Sequence, residues 1–226
     1  MLITEPDNCN SCRSSVDAAV LMKKLHGQAW LATLLLTMPW LVSGSIFLAA
    51  GRLTAATGLS VLPGLGVSLY LITILWRNLE TNRSTNDPAL FYPTLGAANW
   101  LTLARGGGVV ALACLLSVVQ GQSSEVIYSA SIIASFIYLL IALADLGDGL
   151  VARKTGRITE LGKILDIETD AAGLLVAALV AVALGRVPAF YLVVGVVYYL
   201  FIAGIYLRRR RTLTVSDLQP RPDARI

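Results

Sequence analysis

Residues 144–173 read ADLGDGLVARKTGRITELGKILDIETDAAG, and they join two runs that carry no charge, Val126 to Ala144 and Ala171 to Gly185. Inside the segment Asp145, Asp148, Asp166 and Asp170 fall within 26 positions. At helical spacing Asp145 and Asp148 share a face that Gly149 and Ala152 continue, and Asp166 and Asp170, four apart, share a face of the next helix. Between the pairs, KTGRITEL holds Gly156 and Thr159, and Glu160 opens the next apolar-periodic run. That pattern turns the chain and sets two helices antiparallel, with all four carboxylates converging.

The surroundings are those of a membrane. Of 226 residues 56% are apolar and only 14% charged, a composition that excludes an ordinary soluble domain. Charge-free spans run from Ala29 to Gly51, Leu53 to Trp76, Val126 to Ala144 and Val187 to Leu207, each close to the ~20 residues that cross a ~30 Å hydrocarbon core. Gly106 to Ser124 adds a fifth, and Ala171 to Gly185 a sixth if its helix begins upstream among the acids. The expected fold is therefore all-α, an integral membrane protein of six transmembrane helices.

If six helices alternate, sixteen of the eighteen Lys and Arg residues fall on one side, with only Arg52 and Arg186 on the other. Cytoplasmic loops are enriched in these residues, so both termini are expected in the cytoplasm of a cell whose inner membrane holds the chain. No cleavable signal peptide is read, because the first apolar span starts near residue 29 and is long enough to stay in the membrane. The expected divisions are a cytoplasmic segment 1–28, containing a short stretch able to lie on the interface, a hairpin 29–76, a polar loop 77–93, a four-helix core 94–208 and a basic tail 209–226. Cys9 and Cys12 form a CxxC without an obvious second ligand pair. Gly106 to Gly108 lack a following Lys-Ser/Thr and read as helix-packing positions rather than a phosphate loop.

Nineteen residues before Asp145 span about 28 Å and fifteen after Asp170 about 22 Å, which puts the acids just below the cytoplasmic boundary. Four ionised carboxylates crowded there would repel one another and lose hydration unless cations were bound. The ligands are hard oxygens, which favours Mg²⁺ or Mn²⁺, two ions rather than one. Pairing with Arg153, Lys154, Arg157 and Lys163 is the plainer alternative, but it does not need the room that Gly149, Ala152 and Gly162 leave beside the acids.

The pattern Asp145-x-x-Asp148-Gly149-x-x-Ala152-Arg153, eight residues, then Gly162-x-x-x-Asp166-x-x-x-Asp170, resembles the full signature of the CDP-alcohol phosphatidyltransferases. Asn99-x-x-Thr102-x-x-Arg105 resembles the polar face that members carry on the preceding helix. The resemblance implies transfer of a phosphatidyl or phospho-alcohol group from a CDP-linked donor, CDP-diacylglycerol foremost, to an alcohol acceptor, with release of CMP, in phospholipid synthesis. It implies that Asp145, Asp148, Asp166 and Asp170 hold metal and that Asp170 is also the base. It further implies that Gly149, Ala152, Arg153 and Gly162 shape the CDP pocket, that Asn99, Thr102 and Arg105 support nucleotide or phosphate, and that the protein is a homodimer without nucleic-acid partners.

Arg157 and Lys163 lie near enough in sequence to bind an acceptor phosphate, which favours glycerol 3-phosphate or another phosphorylated polyol, although Ile167 stands where many glycerol-3-phosphate users have proline. Only one apolar span follows the motif helix and two precede the Asn-Thr-Arg helix, so the N-terminal hairpin is expected to stand in for a missing C-terminal pair. An ion or proton transporter and an inactive CDP-lipid scaffold are the competing readings. The uncharged far halves of the helices argue against a transport path.

Overall fold

The computed structural model describes residues 8–49, 62–119 and 123–210, without the side chains of residues 8–19, 47, 118, 119, 148–150, 152, 153, 206 and 208–210. Helices account for nearly all of it: α1 Asn8–Ala49, α2 Leu62–Arg77, α3 Ala97–Cys114 with a further turn at Leu116–Val119, α4 Ser124–Thr155, α5 Glu160–Ala183 and α6 Leu192–Arg210. Beyond two isolated bridges, the described residues form no strand. The CxxC side chains and the tail from 211 onward lie outside the described residues.

The leader and the first apolar span form one helix rather than two. No residue between Asn8 and Ala49 stops α1, and Pro39 is carried inside it. Lacking an N–H, Pro39 frees the Leu35 carbonyl four residues earlier. Gly107 of α3 lies against that oxygen, where an added Cβ would stand 3.7 Å away. Val20–Ile46 of α1 and Ser124–Gly147 of α4 are long and apolar enough to cross a membrane. Along α4, Phe136, Leu139, Leu143 and Leu146 are all more than half exposed, a surface suited to lipid rather than water.

The hub is α3, against which α1, α2, α4 and α5 all pack. Its three consecutive glycines let neighbours come close. A Cβ at Gly106 would meet Leu36 and Leu71 at 3.2 and 3.1 Å, and one at Gly108 would meet Ile141 at 3.0 Å. Small residues let helix backbones approach in this way. Helices α4 and α5 both lie on α3, and among the described residues they make few contacts with each other. A cleft is left between them.

The end of the bundle that carries the turn from α4 to α5 is tied by polar contacts. Gly156 takes a positive φ of 61° there, a conformation that glycine adopts without a steric penalty. Thr159 caps α5, its hydroxyl accepting from the Gly162 N–H at 3.0 Å. The same hydroxyl accepts from the Asn99 side-chain amide at 3.3 Å. Asn82, fully buried in the loop before α3, donates to the carbonyls of Tyr92 and Thr94 at 2.8 and 3.0 Å. The Gln28 side chain of α1 accepts from the Leu95 N–H at 2.6 Å. At the same end His26 and Trp30 of α1 pack against Trp76 of α2, with ring centroids 5.7 and 5.2 Å apart.

Two substitutions test this packing. A Cβ at Gly195 of α6 would fall 2.5 Å from the Leu175 Cα of α5, whereas one at Gly204 meets nothing within 4 Å. Gly195→Ala is expected to cost about 1–3 kcal/mol, read as a lower thermal midpoint in detergent, and Gly204→Ala to hold or slightly raise the midpoint, since alanine favours a helix interior over glycine. Thr159→Ala removes the cap and is expected to cost about 1 kcal/mol in the same measurement.

Candidate active site

The cleft between α4 and α5 is floored by α3, and Arg105 rises from that floor. Its side chain is 1% exposed. Nη1 donates to Asp145 of α4, and Nη2 donates to Asp166 Oδ1 at 2.7 Å and to Asp170 Oδ1 at 2.8 Å, both on α5. One guanidinium therefore gathers carboxylates from two helices that scarcely touch. The three aspartates are about half exposed, and Asp145 and Asp170 line a space of about 250 Å³ together with Arg105, Tyr138, Thr169, Gly173 and Leu174.

The electrostatics of this arrangement decide what it accepts. One oxygen from each of Asp145, Asp166 and Asp170 lies within 4.8 Å of the others. Three carboxylates against one guanidinium leave two formal negative charges, which a single divalent cation cancels. All three donors are carboxylate oxygens, the set that Mg²⁺, Mn²⁺ and Ca²⁺ prefer and that thiophilic metals do not. These residues fit a divalent metal ion.

The remaining sequence candidates are placed as follows. Asp148, Gly149, Ala152 and Arg153 continue α4 from Asp145 toward the turn, but their side chains lie outside the described residues. Asn99, Thr102 and Arg105 are all buried on one face of α3, as their i, i+3, i+6 spacing requires. Of these, Arg105 reaches Asp145, Asp166 and Asp170. Asn99 bonds to Thr159 and Asn82, and Thr102 donates to its own helix at the Ala98 carbonyl, 3.1 Å away. A Cβ at Gly162 would stand 2.6 Å from Asn99 Oδ1, so this glycine makes room for Asn99.

Arg157 and Lys163 are not brought onto the cluster. The Arg157 guanidinium donates to the Thr94 carbonyl and hydroxyl and stacks 4.3 Å from the centre of the Tyr92 ring. Burial there pushes its pKa below the usual arginine value. Lys163 makes a surface pair with Glu160 at 3.2 Å. Sequence reasoning missed Asn82, whose burial has no signature in a polar loop. It also missed Tyr138 and Leu174, which read only as apolar span.

Tyr138 and Leu174 belong as well to a second space, a groove of about 640 Å³ walled by Ile132, Ala134, Ala177 and Leu184 and reaching Arg186 at the far end of α5. The aspartate cleft and this largely apolar groove thus share two walls, Tyr138 of α4 and Leu174 of α5.

Comparison with curated proteins gives no match, and neither does comparison with solved structures. Residues 95–222, more than half of the chain, match the family model described as CDP-alcohol phosphatidyltransferase. Its members are transferases that move a phosphoalcohol group from a CDP-alcohol and typically depend on divalent metal, a requirement that the three-carboxylate cluster suits. The matched segment contains α3, the signature on α4 and α5, and every aspartate of the cleft, and the chain belongs to the CDP-alcohol phosphatidyltransferase family.

Proposed function

We propose that the protein transfers the phosphatidyl group of CDP-diacylglycerol to a phosphorylated polyol, glycerol 3-phosphate foremost, and releases CMP. One observation supports the lipid-linked donor: the polar cleft at the aspartates borders, at Tyr138 and Leu174, an apolar groove between α4 and α5. A diphosphate at the carboxylates would lay acyl chains along that groove, where they lose no contact with apolar surface.

In this reading Asp145, Asp148, Asp166 and Asp170 hold two Mg²⁺ or Mn²⁺ ions. When bound, such ions neutralise the diphosphate and the departing phosphate. Asp170 accepts the proton of the acceptor hydroxyl. The hydroxyl oxygen forms a bond to the phosphorus bearing the lipid, the bond from that phosphorus to the bridging oxygen breaks, and CMP leaves with that oxygen. Arg105, buried beneath the aspartates, holds their inner oxygens in place. Gly149, Ala152, Arg153 and Gly162 border the nucleotide, with Asn99 and Thr102 behind them. Lys163 is the better candidate for the acceptor phosphate. It lies three and seven residues before Asp166 and Asp170, hence on their face of α5, and its pair with Glu160 is an exposed one that yields readily. Arg157, held by Thr94 and Tyr92, is the weaker candidate.

The six-span topology, with both termini and the cleft on the cytoplasmic side of an inner membrane, belongs to this reading, as does the homodimer that the family resemblance implies. It is supported by the shared end at which His26, Trp76, Arg77 and the α4–α5 turn lie, opposite the end carrying Arg186. Tryptophans favour the headgroup level of a membrane.

Purified protein with Mg²⁺ or Mn²⁺ and CDP-diacylglycerol, given glycerol 3-phosphate, inositol phosphate, inositol or serine in turn, is expected to release CMP with a phosphorylated polyol. Release with serine or inositol alone would overturn the acceptor assignment. Asp170→Asn is expected to keep nucleotide binding while turnover falls about 10²–10⁴-fold. Full turnover in that variant would remove Asp170 as the base.

A further inference from the structure

Glu168 is the third carboxylate within five residues of α5, yet it takes no part in the cleft. Its two oxygens are each claimed by a tyrosine from a different helix: Tyr70 of α2 donates to Oε2, and Tyr198 of α6 donates to Oε1 at 3.1 Å. Tyr199 closes the cluster, its ring set edge-on to Tyr70 at 6.4 Å and to Tyr198 at 5.4 Å. Tyr70 stands about ten ångströms from the Arg77 end of α2, and Glu168 about twelve from the start of α5. The cluster therefore lies at the depth of the aspartates, in a chain read as membrane-spanning. An acid there is costly unless it is paired and has a use.

The position of Glu168 on the helix gives it that use. At about 100° per residue, Asp166 and Asp170 are about 40° apart around α5, and Glu168 lies about 180° from their mean direction. It is the opposite pole of the same helix. At the interface of α5 with α3, Thr169 lies over Gly106 and Gly173 faces Val109. On that side α5 is held at the aspartates themselves, by Arg105. Hydrogen bonds from two other helices hold it at the opposite pole.

We infer that Glu168, held by Tyr70 and Tyr198, is a positioning residue that sets the rotation of α5 and so aims Asp166 and Asp170 into the cleft. The inference rests on the proposed transferase reading. Tyr70 lies before the family-matched segment, so α2 is a working part of the catalytic unit rather than an appended anchor. A rotation of roughly ten degrees moves a carboxylate oxygen by about an ångström, an error that costs about 100-fold in rate at a reacting centre.

The test compares Glu168→Leu, Glu168→Gln and Tyr70→Phe in detergent-purified protein. It reads kcat and KM for CMP release, together with the thermal midpoints of Tyr70→Phe, Glu168→Leu and the double variant. Glutamine can still accept from one tyrosine and donate to the other. Glu168→Leu is expected to lower kcat about 100-fold with the donor KM within about threefold of wild type, and Glu168→Gln to restore kcat to within about threefold. The two midpoint shifts are expected to be non-additive. Wild-type kcat in Glu168→Leu overturns the inference while leaving the transferase reading intact. An equal fall in Glu168→Leu and Glu168→Gln overturns it as well. If wild type releases no CMP with any acceptor, the transferase reading fails instead. The midpoints then decide whether the clamp exists, and additive shifts overturn it.

Discussion

Everything in this structure is arranged around one electrostatic constraint: carboxylates from two helices meet at a guanidinium from a third, at the edge of an apolar bundle. Arg105 is almost wholly buried, and each aspartate it binds is half exposed. A buried cation is tolerated only where anions and hydrogen bonds surround it, and three aspartates in turn repel one another without it. Neither set is stable alone. Among the described side chains their combination still carries an excess of negative charge, a balance that suits a divalent cation.

The fold exists to hold that balance. Three glycines let four helices close on α3, and α4 and α5, each tied to α3, stay apart from one another. At one end Thr159, Asn99 and Asn82 lock the start of α5 to the start of α3. Toward the other end a neighbouring groove, sharing Tyr138 and Leu174 with the cleft, is lined mainly by apolar side chains.

Much of this was legible in the sequence because the determining signals are local. The carboxylate spacing, the turn at Gly156 and the start of the next helix at Glu160 depend on residues within one or two turns of each other, and the structure places α5 at Glu160 as that spacing requires. The convergence of Asp145 with Asp166 and Asp170 followed from the antiparallel turn. Other features depend on contacts between distant segments and left no trace. Asn82 reads as one more polar loop residue, and its burial is created by Tyr92, Thr94 and Asn99. Arg157 was expected near an acceptor phosphate from proximity in sequence, but the turn at Gly156 directs it to Tyr92 and Thr94 instead. Glu168 lies between two motif aspartates, and only the helical period together with the distant Tyr70 and Tyr198 reveals its separate role. The single long α1 was hidden for a different reason: charged residues such as Lys23 and Lys24 end an apolar run without interrupting a helix.

The measurement that bears most directly on the cation site is a titration of the purified protein with Mn²⁺, read as the loss of the free-ion signal in electron paramagnetic resonance. In wild type, with CDP present, the free signal should fall until the sites are filled. In the Asp145→Asn, Asp166→Asn double variant it should follow the protein-free control. A wild-type curve that also tracks the control would mean that these carboxylates converge on Arg105 alone, and the account of the cleft as a metal-assisted transfer site would be wrong.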